Sequence, residues 1–100
     1  MKSHIIPSYK TGKANIVKKY PAIKAAIDGL ESKILENPAG GIKEILVIKN
    51  RHVTTRKRGI KTNLFSDRLP DHYLYITVNY GLADNGDIVF LTIYLHDYII

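Results

Sequence analysis

The sequence predicts an α+β domain in which an N-terminal helical hairpin packs on one face of an antiparallel β-sheet. Three observations predict it. Ile23, Ile27, Leu30 and Ile34 recur at spacings of four, three and four, the stripe of an amphipathic helix. After Gly40-Gly41 the period becomes extended, beginning with the β-branched run 42–48. Residues 73–80 and 88–95, on either side of a loop holding Asn85-Gly86, are the two strongest strand candidates.

Each element has its own justification. Residues 2–6 read as a short strand, since Ile5-Ile6 is apolar and Pro7 discourages continuation. Residues 8–19 read as a helix with Tyr9, Ile16, Val17 and Tyr20 on one side, although Gly12 weakens it by about 1 kcal/mol relative to Ala. Pro21 suits the first turn of the second helix, and Asn37-Pro38-Ala39-Gly40-Gly41 stops it. Residues 53–68 show no firm periodicity, with Leu64-Phe65 as the start of another short strand, and Leu69-Pro70-Asp71 signals a turn.

Asn85-Gly86 favours a two-residue hairpin turn, and that turn sets a register. Ile76 then faces Leu95, Val78 faces Ile93 and Tyr80 faces Leu91, all on an aliphatic side suited to receive the helices. The other side pairs Tyr73 with Tyr98, Tyr75 with His96, Thr77 with Tyr94 and Asn79 with Thr92. A slip of one residue would destroy this sorting, so the register is well specified. The polar-aromatic side is left open.

Composition narrows the function classes. One hundred residues make one domain, 1–100, and 45% hydrophobic with 24% charged residues excludes disordered and fibrous chains. No apolar run approaches the ~20 residues needed to span a bilayer, and Met1-Lys2-Ser3-His4 leads into no signal-like run. A cytoplasmic protein is expected. The absence of cysteine excludes disulfides and thiolate chemistry. The four histidines lack metal-ligand spacing, and no phosphate loop, Gly-x-Ser-x-Gly elbow or paired-carboxylate motif is present, so no metal or other cofactor is expected.

The net charge of +6 is unevenly placed. Residues 1–42 carry a net +4, residues 43–68 a net +6 and residues 69–100 a net −4. Lys49, Arg51, Arg56, Lys57, Arg58 and Lys61 follow one another without a single acid between them. Such a run is either a solvated loop or the footprint of a polyanion.

The chain resembles the RelE/ParE superfamily of bacterial toxin–antitoxin toxins. The resemblance lies in Lys18-Lys19-Tyr20-Pro21 between the helices and Leu35-Glu36-Asn37-Pro38-Ala39-Gly40-Gly41 at the end of the second. It continues in Ile45-Leu46-Val47-Ile48-Lys49 with the basic stretch after it, and in Ile88-Val89-Phe90-Leu91-Thr92-Ile93-Tyr94. It covers roughly residues 5–98 and implies two helices against a curved antiparallel sheet. The family's ribonucleases cleave mRNA without a metal, often at the ribosome, by attack of the 2′-hydroxyl on the adjacent phosphodiester. Other members act on DNA gyrase without cutting RNA. A cognate antitoxin, acidic in part, is the implied partner.

Carried onto this chain, the resemblance makes His96, Tyr98 and Arg58 the catalytic candidates. Lys49, Arg51, Arg56, Lys57 and Lys61 become RNA-binding candidates, with Tyr75 and Tyr94 as stacking platforms. Imidazole, with an ordinary pKa of about 6.5, suits proton transfer near neutrality. The plainer alternatives are a surface His96 stacked on Tyr75, a Tyr98 packed across the sheet on Tyr73, and basic residues that touch only water. Asp97 alternates to the opposite side, away from His96. The final strand carries neither Arg nor Lys, a departure from many active members. Two functions therefore stand: a metal-independent endoribonuclease toxin, or a non-catalytic member that binds nucleic acid or a protein target such as DNA gyrase.

Overall fold

The computed structural model describes residues 2–48, 51–66 and 72–99. Strand β1 (Ser3–Ile5) leads into helix α1 (Pro7–Lys19), a 3₁₀ turn (Pro21–Ile23) and helix α2 (Lys24–Glu36). A second 3₁₀ turn (Pro38–Gly40) precedes β2 (Ile42–Ile48), β3 (Arg51–Phe65), β4 (His72–Leu82) and β5 (Ile88–Ile99). Pro7 and Pro21 each sit where a helical turn begins and no N–H partner is needed. The Leu69-Pro70-Asp71 turn expectation lies outside the described residues, as does Lys49.

The sheet is mixed, with strand order β1-β5-β4-β3-β2. An all-antiparallel sheet was the expectation, and β1 corrects it by pairing parallel to β5. The reason is topological: β2 to β5 form a meander, and the free edge of β5 is closed by the chain's first strand. The Ile88 N–H donates to the Lys2 carbonyl at 2.8 Å and the Ile6 N–H to the Phe90 carbonyl at 3.3 Å.

The core lies between the helices and one sheet face. Ile23, Ile27, Leu30 and Ile34 are buried, as the helical stripe predicts, against Leu74, Ile76, Val78 and Tyr80 of β4. Ile88, Phe90 and Ile93 of β5 complete it with Tyr9 of α1, whose ring lies 5.2 Å from that of Phe90. The Tyr9 hydroxyl donates to Glu31 Oε2 at 2.6 Å, and Lys13 Nζ bridges Asp28 and Glu31 at 3.0 Å each, tying α1 to α2.

The register between β4 and β5 follows the predicted pairs from Tyr73–Tyr98 to Asn79–Thr92. It then shifts: Tyr80 pairs with Phe90, not Leu91, because Leu91 is an extra residue on β5. The Ser8 hydroxyl, reaching from α1, donates to the Leu91 carbonyl at 2.9 Å. The connection is correspondingly not a two-residue turn. The Gly86 N–H donates to the Ala83 carbonyl, the Ala83 N–H to the Asp87 carbonyl, and Gly86 has φ +90°, which glycine adopts without strain. Residues 53–68 are also corrected: the basic block belongs to one long strand, β3, flanked by β2 and β4.

Candidate nucleic-acid interface

Strand alternation divides the basic block between the two faces of the sheet. Arg56 pairs with Tyr80 and Arg58 with Val78, both buried in the core, so these arginines belong to the helical face. Arg58 Nη1 donates to the Lys33 carbonyl in the last turn of α2 at 3.1 Å. Arg56 Nη1 donates to the Ala39 and Gly41 carbonyls at 3.2 Å each. The Lys33 carbonyl also accepts the Asn37 N–H at 3.0 Å, and a cation placed there meets the negative dipole end of the helix. Arg58 therefore secures the end of α2 and Arg56 the 3₁₀ turn after it, and the structure does not bring Arg58 or Arg56 to His96.

The Tyr80 hydroxyl joins the same junction, donating to the Pro38 carbonyl at 2.5 Å. Burial raises its phenol above the ordinary tyrosine range, while the Gly41 backbone and the charges of Arg56 and Arg58 pull the other way.

The opposite face carries the remaining candidates in rows across three strands. Lys57, Asn79 and Thr92 form one row; Gly59, Thr77 and Tyr94 the next; Lys61, Tyr75 and His96 the third. Phe65, Tyr73 and Tyr98 occupy the fourth. None of these twelve positions is an acid. Neighbouring strands lie about 4.8 Å apart, so Lys61 and His96 flank Tyr75 with their backbones about 10 Å from each other. That span is wide enough for a phosphodiester between two converging side chains.

Local packing shapes this surface. A Cβ on Gly59 would stand 2.5 Å from the Tyr75 ring and hydroxyl, so the missing side chain is what lets Tyr75 lie across β3. Tyr94 and His96 are both exposed, with ring centroids 6.1 Å apart. Asn79 Nδ2 donates to Thr92 Oγ1 at 3.0 Å, and Lys61 Nζ lies 4.4 Å from the Tyr73 ring centroid, a cation–π contact.

The open face thus brings together Lys57, Lys61, Tyr75, Tyr94 and His96, with Tyr98 placed opposite Tyr73 by register. Arg51 begins β3 opposite Ile48, at the far end of the strand from Phe65. Sequence reasoning missed Phe65 as a member of this face. Alternation from Lys61 already gives it this side, and the irregularity in β3 sets its partner, Tyr73. Among the described residues, no group of three or more His, Asp or Glu comes together to hold a metal, and no helix is long and apolar enough to cross a membrane.

What the face can do chemically follows from its groups. Aromatic rings stack on bases of any sequence, ammonium groups neutralise phosphates, and an exposed imidazole exchanges protons. Comparison with protein-family models, with curated proteins and with solved structures yields no match.

Proposed function

We propose that this chain is the toxin of a toxin–antitoxin module, similar to the RelE/ParE superfamily with its helical hairpin on a curved sheet, and that it cleaves mRNA on the open sheet face without a metal. The observation that carries the reading is the row Lys61–Tyr75–His96, a cation, an aromatic ring and an imidazole in line across three strands. The aromatic rows, with no acid among their twelve positions, suit a single-stranded polyanion better than a duplex, whose bases are not exposed for stacking.

In this reading His96 accepts the proton of the 2′-hydroxyl as its oxygen attacks the neighbouring phosphorus. The 5′-oxygen leaves with a proton, for which Tyr98 in the next row is the candidate donor, and a 2′,3′-cyclic phosphate remains. Lys61 and Lys57 offset the charge that accumulates at phosphorus. Tyr75 and Tyr94 hold the flanking bases. Arg58 has no role here, since its guanidinium is engaged at the end of α2. The protein would act in the cytoplasm, at the ribosome or on free mRNA, and be held inactive by a cognate antitoxin covering its basic surface.

A second reading has one observation in its favour. With Arg56 and Arg58 turned to the helices, and no Lys or Arg on β5, no arginine is found in the four rows of the open face. That suits a non-catalytic member that binds nucleic acid or a protein such as DNA gyrase. Cleavage of mRNA by the antitoxin-free protein, with and without translating ribosomes, separates the two. His96→Ala should lower cleavage roughly 10²–10⁴-fold with the fold intact, the range expected for loss of a general acid or base. A 2′-deoxy substitution at the cleaved position should block the reaction. Full activity of folded His96→Ala overturns the assignment, and no cleavage by the wild type in either setting selects the second reading.

A further inference from the structure

Between Lys61 and Phe65 the pairing of β3 with β4 is interrupted: Lys61 lies opposite Tyr75, yet Phe65, not Asn63, lies opposite Tyr73. Two extra residues on β3 are accommodated there, and the irregularity is pinned. The Thr62 hydroxyl donates to the Leu74 carbonyl at 2.8 Å and accepts the Leu64 N–H at 3.2 Å, while the Ser66 N–H donates to the His72 carbonyl at 2.8 Å. Bulges of this kind re-aim a side chain and recur beside functional sites. Here the result is that Phe65, on the same side as Lys61, stands opposite Tyr73 in place of Asn63.

Phe65 stacks on Tyr73 with ring centroids 4.6 Å apart and planes 24° apart. It remains 58% exposed, although neighbouring Thr62 and Ser66 are buried. Phe65 and Tyr73 together offer a stacked aromatic surface to solvent, and contiguous exposed apolar surface of this kind marks interaction sites. The partner's chemistry is set by the surroundings. Lys61 lies 4.4 Å from the Tyr73 ring centroid, Tyr75 and His96 follow in the adjacent row, and the four rows contain no carboxylate.

We infer that Phe65 and Tyr73 form a nucleobase-stacking subsite for single-stranded RNA, with Lys61 meeting the phosphate between that base and the Tyr75–His96 row. This inference rests on the reading of the open face as an RNA surface and adds a base-stacking subsite to it. Tyr73 and Tyr75 are two residues apart on β4, about 6.8 Å along the strand, so successive bases of an extended RNA can occupy successive rows. The subsite is sequence-tolerant and favours purines, because stacking depends on the area of the π-face and not on hydrogen-bond readout.

The test measures binding of a short fluorescent 2′-O-methyl RNA, which cannot supply the attacking hydroxyl, and of heparin as a polyanion without bases. Phe65→Ala should weaken RNA binding about 5- to 150-fold, the effect of losing one stacked base, with an unchanged salt slope and unchanged heparin binding. Phe65→Tyr, which keeps a stacking ring, should retain affinity. Lys61→Ala should instead flatten the slope of log K against log salt by about 0.7 for a single strand. An abasic residue placed at the subsite should weaken binding to the wild type and leave Phe65→Ala unaffected. If Phe65→Ala binds RNA as the wild type does while Lys61→Ala loses affinity, the subsite is overturned and the RNA surface stands. If the wild type binds no RNA, both fall.

Discussion

Gly59 and Tyr75 show how one missing side chain prepares a surface. A Cβ at position 59 would overlap the far end of the Tyr75 ring, a flexible tip and not backbone. Gly59→Ala should therefore leave the fold intact, with a stability change within about 0.5 kcal/mol as for other surface substitutions, and lift Tyr75 out of its place. If Tyr75 holds a base, RNA affinity should fall about 5- to 150-fold, the range for one stacking contact. In a Tyr75→Ala background the same substitution should have no further effect, since the two positions are in contact and their effects cannot add. A Gly59→Ala protein with wild-type RNA affinity would remove Tyr75 from the interface.

At the scale of elements, sidedness decides which basic residues meet RNA. Arg58 lies over the end of α2 and Arg56 over the 3₁₀ turn that follows it, while Lys57 and Lys61 occupy the rows of the open face. Arg58→Ala should lower stability by about 1 kcal/mol, as for a lost hydrogen bond at a helix terminus, and leave the salt dependence of RNA binding unchanged. Lys57→Ala should leave stability nearly unchanged and flatten the salt slope by about 0.7. Denaturant unfolding and binding titrations over a range of salt read both effects, and a flattened slope for Arg58→Ala would reverse the division.

The same pattern explains what could be read from the chain. Helix α2 was visible because Ile23, Ile27, Leu30 and Ile34 recur at spacings of four, three and four, and the central hairpin because Leu74, Ile76 and Val78 alternate with Tyr75 and Thr77. Strand β3 was hidden because two of its core-side residues are arginines, so its alternation leaves no trace in hydropathy. Phe90-Leu91 offered two adjacent apolar residues, and nothing local marks Leu91 as the extra one. His96, Tyr75 and Tyr94 could be placed together from alternation alone. A run of bases carries no sidedness until its register is known, which is why Arg58 was drawn into the site.

For the molecule as a whole, the buried junction of α1, α2 and β5 sets a limit at high pH. Burial, then the hydrogen bond to Glu31 and the charges of Glu31 and Asp28, hold the Tyr9 phenol well above the ordinary tyrosine range. For Lys13, burial pulls its ammonium down, but bonds to Asp28 and Glu31 together outweigh it and leave the group above its usual value. Tyr80 is raised by burial as well. A group whose folded pKa exceeds its unfolded one contributes stability that is complete below the unfolded pKa and is lost as pH rises towards the folded value. Unfolded tyrosine and lysine titrate near pH 10, so the three groups act in one window. The unfolding midpoint should therefore be nearly insensitive to these groups near neutrality and fall steeply above about pH 10. Tyr9→Phe should cost stability at neutral pH, towards the low end of the about 1.5–3 kcal/mol for a hydrogen bond to a charged group, because Lys13 still pairs with Glu31. Above about pH 10 that variant should lose stability less steeply than the wild type, since it no longer holds a buried proton that the unfolded chain releases. Thermal unfolding followed by circular dichroism across this range checks the prediction, and parallel alkaline slopes for the two proteins would show that the Tyr9–Glu31–Lys13 junction does not set the limit.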